Sequence, residues 1–137
     1  MTLVLDNALV IDWLLSEGPI DRIEAIMLDN AGALLTASLF WAELPYVLGK
    51  RLNRREIDIN FRDGSLQLVQ ALGIVTDFEA GRPGLAFDRM MTLSDRYGLT
   101  VYDAVYLELA IRSGGRLGTS DRKLAAAARA AGVEVLP

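Results

Sequence analysis

The run Leu3-Val4-Leu5-Asp6, close to the start of the chain, decides the fold class. Consecutive apolar residues without polar alternation are typical of a parallel strand that is buried on both faces. Asp6 ends the run with a charge, at the point where such a strand would leave the sheet. Helices must cover both faces of a sheet of this kind, so the run predicts an architecture in which strands and helices alternate.

The rest of the chain carries that alternation. Short apolar runs predict four more strands, at 33–36, 73–76, 116–119 and 133–135. Helical spacing and stop residues predict helices at 8–15, 20–29, 38–53, 58–72, 85–97 and 101–113, and a last helix through 131. Ser38 and Thr100 are the expected N-caps of two of them, and Ser120 or Asp121 of the last. Pro45 should kink its helix or remove one backbone hydrogen bond. The sequence therefore predicts one α/β domain over residues 1–137 with a parallel sheet.

The amino-acid composition limits which catalytic groups this chain can use. At 137 residues and 52% apolar, the chain has enough material for one core, and it contains no Cys and no His. The missing residues exclude disulfides, Ser-His-Asp triads and His-based metal motifs, so hydrolysis would need carboxylates, a metal or both. We expect no membrane span, because no apolar run approaches about 20 residues. The first residues lack a basic segment typical of a signal peptide, and a cytoplasmic location is expected.

The charge balance points away from a simple nucleic-acid-binding module. The net charge is −4, whereas proteins that only grip nucleic acid are usually basic. A nuclease is compatible with this charge, because a carboxylate cluster contributes negative charge that a divalent ion offsets. One basic cluster stands out, at Lys50, Arg51, Arg54 and Arg55. It is either a solvated helix end favoured by the helix dipole or a contact for phosphates.

Four acidic residues occupy positions that a parallel sheet would bring together. Asp6 and Asp121 follow predicted strands, and Glu43 and Asp103 lie in helices that come after strands. Ligands of open α/β sheets bind outside the carboxyl ends of the strands. Carboxylates that share a pocket repel one another unless a cation offsets their charge, and hard oxygen ligands suit Mg²⁺ or Mn²⁺. We therefore predict a catalytic and metal-binding site made of Asp6, Glu43, Asp103 and Asp121, and a metal-dependent enzyme that cuts phosphodiesters.

Each of three acids also has a simpler interpretation. Asp6 and Asp121 could only cap helices, and Asp103 could only favour a helix dipole. Glu43 has no capping role, because it lies among apolar residues where an unpaired carboxylate is costly. A metal or an Arg partner would remove that cost.

Some neighbouring side chains stay ambiguous. Thr119 and Ser120 could orient a carboxylate or a metal-bound water, or could be an ordinary strand end and cap. For the aromatic residues near the acids, packing is favoured over stacking on bases. The aromatic residues in question are Trp41, Tyr102 and Tyr106. Glu108 lies five residues after Asp103 and is not expected to join its face of the helix.

Four segments, taken in this order, resemble the PIN domain family, and more closely the VapC-type toxins of bacterial toxin–antitoxin pairs. They are Val4-Leu5-Asp6, Trp41-Ala42-Glu43-Leu44, the long segment Tyr97-Gly98-Leu99-Thr100-Val101-Tyr102-Asp103-Ala104-Val105-Tyr106-Leu107-Glu108-Leu109-Ala110, and Gly118-Thr119-Ser120-Asp121-Arg122-Lys123-Leu124. The third is the most specific. The resemblance implies a three-layer α/β/α fold with a five-stranded parallel sheet.

The resemblance also implies an activity and partners. It implies an Mg²⁺- or Mn²⁺-dependent endoribonuclease in which Asp6, Glu43 and Asp103 match the three main acids and Asp121 matches a more variable fourth. It implies an RNA substrate, a homodimer, and a small antitoxin that lays a helix in an apolar groove and inserts a basic side chain among the acids. The chain departs from the pattern at Ala8, where such toxins often carry a small hydroxyl residue. Asn7 would replace part of that polarity.

Two other functions remain open on the sequence. One is an interaction protein that keeps the fold without catalysis, against which the intact set of four acids argues. The other is a phosphatase of the aspartyl-phosphate type with Asp6 as nucleophile. That class usually needs a second Asp two residues later, where this chain has Ala8.

Overall fold

Strands and helices alternate along the chain in the computed structural model, which describes residues 1–137. In chain order the elements are β1 (Leu3–Leu5), α1 (Asn7–Leu14), α2 (Ile20–Asp29), β2 (Leu34–Ala37), α3 (Phe40–Asn53), α4 (Ile59–Ala71), β3 (Val75–Asp77), a 3₁₀ turn (Glu79–Gly81), a π-helix (Leu85–Met90), α5 (Met91–Tyr97), α6 (Val101–Ser113), β4 (Arg116–Gly118), α7 (Arg122–Ala130) and β5 (Val135–Leu136). None of these helices combines the length and the apolar character needed to cross a membrane.

The five strands form one parallel sheet in the order β3-β2-β1-β4-β5. The central strand is β1, and its three residues Leu3, Val4 and Leu5 are fully buried. A strand can lose both faces to the core only when helices cover both sides of the sheet. The predicted α/β class with a five-stranded parallel sheet is therefore confirmed.

Two strands, β3 and β5, begin two residues later than predicted. Gly73 has a φ of +66°, a left-handed conformation outside a strand, and pairing with β2 begins only at Val75. The last strand is β5 (Val135–Leu136) and not 133–135, because the N–H of Val133 bonds to the carbonyl of Ala128 at the end of α7. Both shifts arise because neighbouring backbone groups already have partners elsewhere.

The start of α3 and the start of the segment 85–97 also differ from the prediction. Ser38 is not the N-cap of α3. Its N–H bonds to the carbonyl of Asp77 in β3, which continues the pairing of β2 with β3 by one residue. Leu39 takes the cap position instead, without a side-chain hydrogen bond. Pro45 removes one backbone bond but does not end α3. The segment 85–97 starts as a π-helix, a difference that apolar spacing does not reveal.

A partly buried ion-pair network joins α6 to the edge strand β3. Glu108, only 2% exposed, accepts from Arg112 at 2.8 Å, and Arg112 also forks onto both oxygens of Asp77 at 2.8 and 3.0 Å. Arg89 approaches Glu108 at 3.6 Å. The Arg112 guanidinium lowers the pKa of Asp77 below its usual range. Glu108 therefore has a structural role through Arg112.

The lowered pKa of Asp77 makes part of the stability depend on pH. The pKa of Asp77 is lower in the folded chain than in the unfolded chain, where it is about 4. The stabilisation by Asp77 is therefore fully present above that unfolded value, and it is lost as the pH falls through the pKa of the folded state. We expect Asp77→Asn to lower the free energy of unfolding by about 1–2 kcal/mol at neutral pH. Measured by urea denaturation, the difference in free energy of unfolding between wild type and Asp77→Asn should shrink as the pH is lowered toward about 2.5. A constant difference across that range would contradict this assignment.

Candidate active site

Asp6 lies at the centre of the carboxyl edge of the sheet and serves two elements at once. It follows β1 and caps α1, where Oδ1 accepts from the N–H of Leu9 at 2.9 Å, and Oδ2 accepts from the hydroxyl of Thr119. Its side chain is almost fully enclosed, with 3% of the residue exposed. The capping role is therefore real, and it leaves a buried carboxylate at the sheet edge.

Burial makes the charged form of Asp6 costly. Loss of solvent raises the pKa of Asp6 to about 7, although the bonds from Thr119 and Leu9 oppose this shift. The carboxylates of Asp121 and Asp103 raise the pKa of Asp6 further, because each repels its negative charge. Asp6 is thus a carboxylate that lacks a compensating positive charge.

Glu43 enters the same region from the first turn of α3. Its Oε1 accepts a 2.6 Å hydrogen bond from the hydroxyl of Tyr106, which lies on α6. Partial burial raises the pKa of Glu43, the bond from Tyr106 opposes this, and the carboxylate of Asp103 raises it further. The start of α3 is fixed by a 2.8 Å bond from the indole Nε1 of Trp41 to Thr76 in β3.

Asp103 and Asp121 lie at the starts of two helices and are partly exposed. The N–H of Asp103 bonds to the hydroxyl of Thr100, the predicted cap of α6, at 3.1 Å. Asp121 caps α7 by accepting from Lys123 and Leu124 at 2.9 and 3.0 Å. Burial and the charge of Asp121 raise the pKa of Asp103, whereas Lys123 opposes this. Asp103 therefore lies in the first turn of α6, and Asp121 is the N-cap of α7.

Thr119 links the carboxylate of Asp6 to the backbone of Asp121. Its hydroxyl donates to Asp6 and accepts from the backbone N–H of Asp121 at 3.0 Å. Ser120 makes no corresponding bond. Of the two hydroxyl residues that the sequence left open, Thr119 is therefore the one that orients a carboxylate.

The four acids form one electrostatic cluster with Asp103 as its common member. Asp103 raises the pKa of Asp6 and of Glu43, and Asp121 raises that of Asp103. The ion pairs of the protein involve other residues, and none includes a member of this cluster. No three acidic side chains are spaced as a formed metal-binding group. A bound cation would require the partly exposed carboxylates to move closer, and the all-oxygen donor set fits Mg²⁺ or Mn²⁺.

One polar side chain beside the cluster has a role that the sequence did not reveal, and another is buried with an unpaired oxygen. The hydroxyl of Tyr106, for which packing was favoured, is the partner of Glu43; its position three residues after Asp103 on α6 is the signal that would have indicated it. Asn7, next to Asp6, is buried, and its Oδ1 has no hydrogen-bond partner.

The basic cluster of α3 lies away from the acids. Glu43 is in the first turn of α3, and Lys50 and Arg51 are in its last turn, roughly 10 Å further along the helix axis. Arg51 pairs with Glu17 at 3.1 Å and with Glu56 at 3.0 Å. These contacts favour the interpretation of a solvated helix end over a phosphate contact at the acidic cluster.

A groove of about 1040 Å³ opens beside that basic cluster. It is formed by the end of α1, the end of α3 and the start of α4, and Arg51 and its two acidic partners lie along it. Its apolar lining is Leu14, Leu15, Leu52, Ile57, Ile59 and Phe61. Ile59 and Phe61 are 56% and 40% exposed and lie close together at the start of α4, so they form an exposed apolar patch.

Solved structures resemble this chain in fold, and a family model resembles it in sequence. The fold is similar to that in the crystal structure of PAE2754 from Pyrobaculum aerophilum, with a TM-score of 0.71 and 21% identity over 98% of this chain and 89% of that one. It is also similar to FitAcB from Neisseria gonorrhoeae, with a TM-score of 0.56 and 19% identity over 99% and 97%. At such identities the likeness concerns the fold alone. No curated protein matches the chain. The family model described as PIN domain matches residues 3–130, and the chain belongs to the PIN domain family.

Proposed function

We propose that this protein is a metal-dependent endoribonuclease that hydrolyses RNA phosphodiesters at Asp6, Glu43, Asp103 and Asp121. The observation that carries the proposal is that these carboxylates lie close enough to repel one another, that Asp6 is almost fully buried, and that none of the four forms an ion pair. Proteins with a PIN domain are generally nucleases, which supports the class. A divalent cation at the cluster would offset both the repulsion and the cost of burial.

Three of the four acids would take different roles in the site according to their exposure. Asp6 is held by Leu9 and Thr119, so it would supply a fixed ligand at the base of the site. Asp103 and Asp121 are partly exposed, so they can approach a bound ion and the RNA from the solvent-facing side of the site. A divalent cation held by these carboxylates would supply an activated water at neutral pH and positive charge beside the phosphate.

The test is cleavage of a labelled RNA pool by the purified protein with Mg²⁺, with Mn²⁺ or with EDTA. Cleavage that requires the metal and stops in EDTA is the expected result. Cleavage that continues unchanged in EDTA would contradict metal dependence. A folded protein that neither cuts RNA nor binds Mn²⁺ would favour the alternative, a PIN-fold interaction protein without catalysis. A phosphatase using Asp6 as nucleophile is less favoured, because Ala8 supplies no acid.

We further propose that the protein is the toxin of a VapBC-type pair and that a small antitoxin binds the groove between α1, α3 and α4. The resemblance of the four motifs to VapC-type toxins supports this assignment. The groove offers an apolar lining with charged residues beside it, which suits an amphipathic helix. A basic side chain of that partner could then pair with the uncompensated carboxylates of the acidic cluster.

Replacing Phe61 by Glu should weaken binding of the proposed antitoxin at least about 10-fold, because a charge would enter the apolar groove. The change should leave the fold intact, since Phe61 is 40% exposed. Leu28→Glu is the matched control, because Leu28 is 68% exposed and lies outside the groove. Binding is measured by titration calorimetry with purified partner. Equal affinities of Phe61→Glu and wild type would contradict this binding site.

A homodimer and a cytoplasmic location complete the proposal. The sheet ends at β3, an edge strand in which Val75 is exposed, and the segments after it expose Phe78 and Phe87. Large apolar side chains in such number are typical of an interface, and a second copy would cover them. The cytoplasm is where the RNA substrate would be met. A single PIN-like domain over residues 1–137 remains our prediction.

A further inference from the structure

We propose that Tyr106 is a positioning residue that holds Glu43 in the orientation needed to bind a divalent cation. The inference rests on the proposed function, in which Glu43 is one of the metal ligands. It goes beyond that function by assigning the geometry of this ligand to a neutral side chain on another helix.

The contact between the two residues is specific. Tyr106 is 2% exposed, so its ring is fixed by packing, and its hydroxyl donates to Oε1 of Glu43 at 2.6 Å. No other hydrogen bond reaches the side chain of Glu43, and its Oε2 is left without a protein donor. One carboxylate oxygen is therefore fixed by a protein donor, and the other remains free for a ligand.

The position of Tyr106 on α6 links two acids from different helices. Asp103 lies three residues before Tyr106, so both side chains leave α6 on the same side. The same helix thus presents one carboxylate directly and orients Glu43 of α3 through the phenol. The bond from Trp41 to Thr76 holds the start of α3, but it makes no contact with the carboxylate itself. Outer partners of this kind fix the orientation of metal ligands.

Tyr106→Phe removes only the hydroxyl and keeps the buried ring. Without any antitoxin present, we expect Tyr106→Phe to bind Mn²⁺ at least about 10-fold more weakly than wild type does. Binding is measured by calorimetry or by electron paramagnetic resonance. Tyr102→Phe is the matched control, because Tyr102 lies on the same helix, is 64% exposed and forms no side-chain hydrogen bond. Titrations are made well below the melting temperature of each variant, so that loss of folding is separated from loss of binding.

A double-mutant cycle separates positioning from a general structural effect. If Tyr106 acts through Glu43, Glu43→Gln should weaken Mn²⁺ binding, and adding Tyr106→Phe to Glu43→Gln should cause no further loss. Equal additional losses in both backgrounds would overturn the inference, as would unchanged affinity in Tyr106→Phe while Glu43→Gln binds weakly. If Asp6→Asn and Glu43→Gln both bind Mn²⁺ like wild type, the metal site itself is wrong and the inference falls with it.

Discussion

Asp103→Asn is expected to reduce metal-dependent RNA cleavage at least about 100-fold, because it removes the carboxylate that is coupled to the other acids. Asn keeps the size of the side chain, and the backbone N–H of residue 103 can still bond to Thr100, so α6 should keep its cap. The measurement is the initial rate of cleavage of a labelled RNA at saturating Mg²⁺.

Asp6→Asn should show a loss of similar size. An Asn side chain can accept from the N–H of Leu9 as Asp6 does, and Asn is a good N-cap, so the start of α1 should persist. Asp95→Asn is the matched control, because Asp95 is exposed and lies outside the cluster. Full activity in Asp103→Asn, or an equal loss in Asp95→Asn, would contradict the assignment of the site.

Arg112→Ala is expected to lower the free energy of unfolding by about 3 kcal/mol. Glu108 is buried and accepts two bonds from Arg112, so the substitution leaves a carboxylate without its main partner inside the core. Asp77 on β3 loses its bidentate partner at the same time. The change is measured by urea denaturation at neutral pH, with circular dichroism as the signal.

Two comparisons identify the cause of this loss. Arg62→Ala removes a surface pair with Asp63, in which both side chains are at least one-third exposed, and should cost less than about 1 kcal/mol. Adding Glu108→Gln to Arg112→Ala should restore part of the stability, because the buried group then carries no charge. A double variant that is no more stable than Arg112→Ala would show that the buried charge is not the cause.

The sheet and its neighbouring helices were predictable because the apolar runs, caps and stop residues of the sequence agree with what the fold buries. The apolar run Leu3–Leu5 is the central strand, and α6 has the predicted bounds because Thr100 caps it and Gly114 ends it in the left-handed conformation. The π-helix Leu85–Met90 was not predictable, because its apolar spacing resembles that of an α-helix. The shifted start of β5 depends on the partner of one backbone N–H, which spacing does not encode.

The candidate site could be predicted as a set of positions but not as a set of contacts. Strand ends placed Asp6 and Asp121 at one edge, since the parallel order of the sheet follows from the alternation of elements. The bond between Tyr106 and Glu43 joins residues 63 positions apart, and the bond between Thr119 and Asp6 joins residues 113 apart. Contacts of this range depend on how α3 and β4 pack against their neighbours, so one sequence cannot reveal them.

Titration of Mn²⁺ into the partner-free protein tests the central claim most directly, because it does not depend on finding the right RNA. Wild type should bind Mn²⁺, Asp95→Asn should bind it equally well, and Asp103→Asn should bind it at least about 10-fold more weakly. Equal binding by wild type and Asp103→Asn, or no binding by wild type, would contradict a divalent-metal site at these four carboxylates.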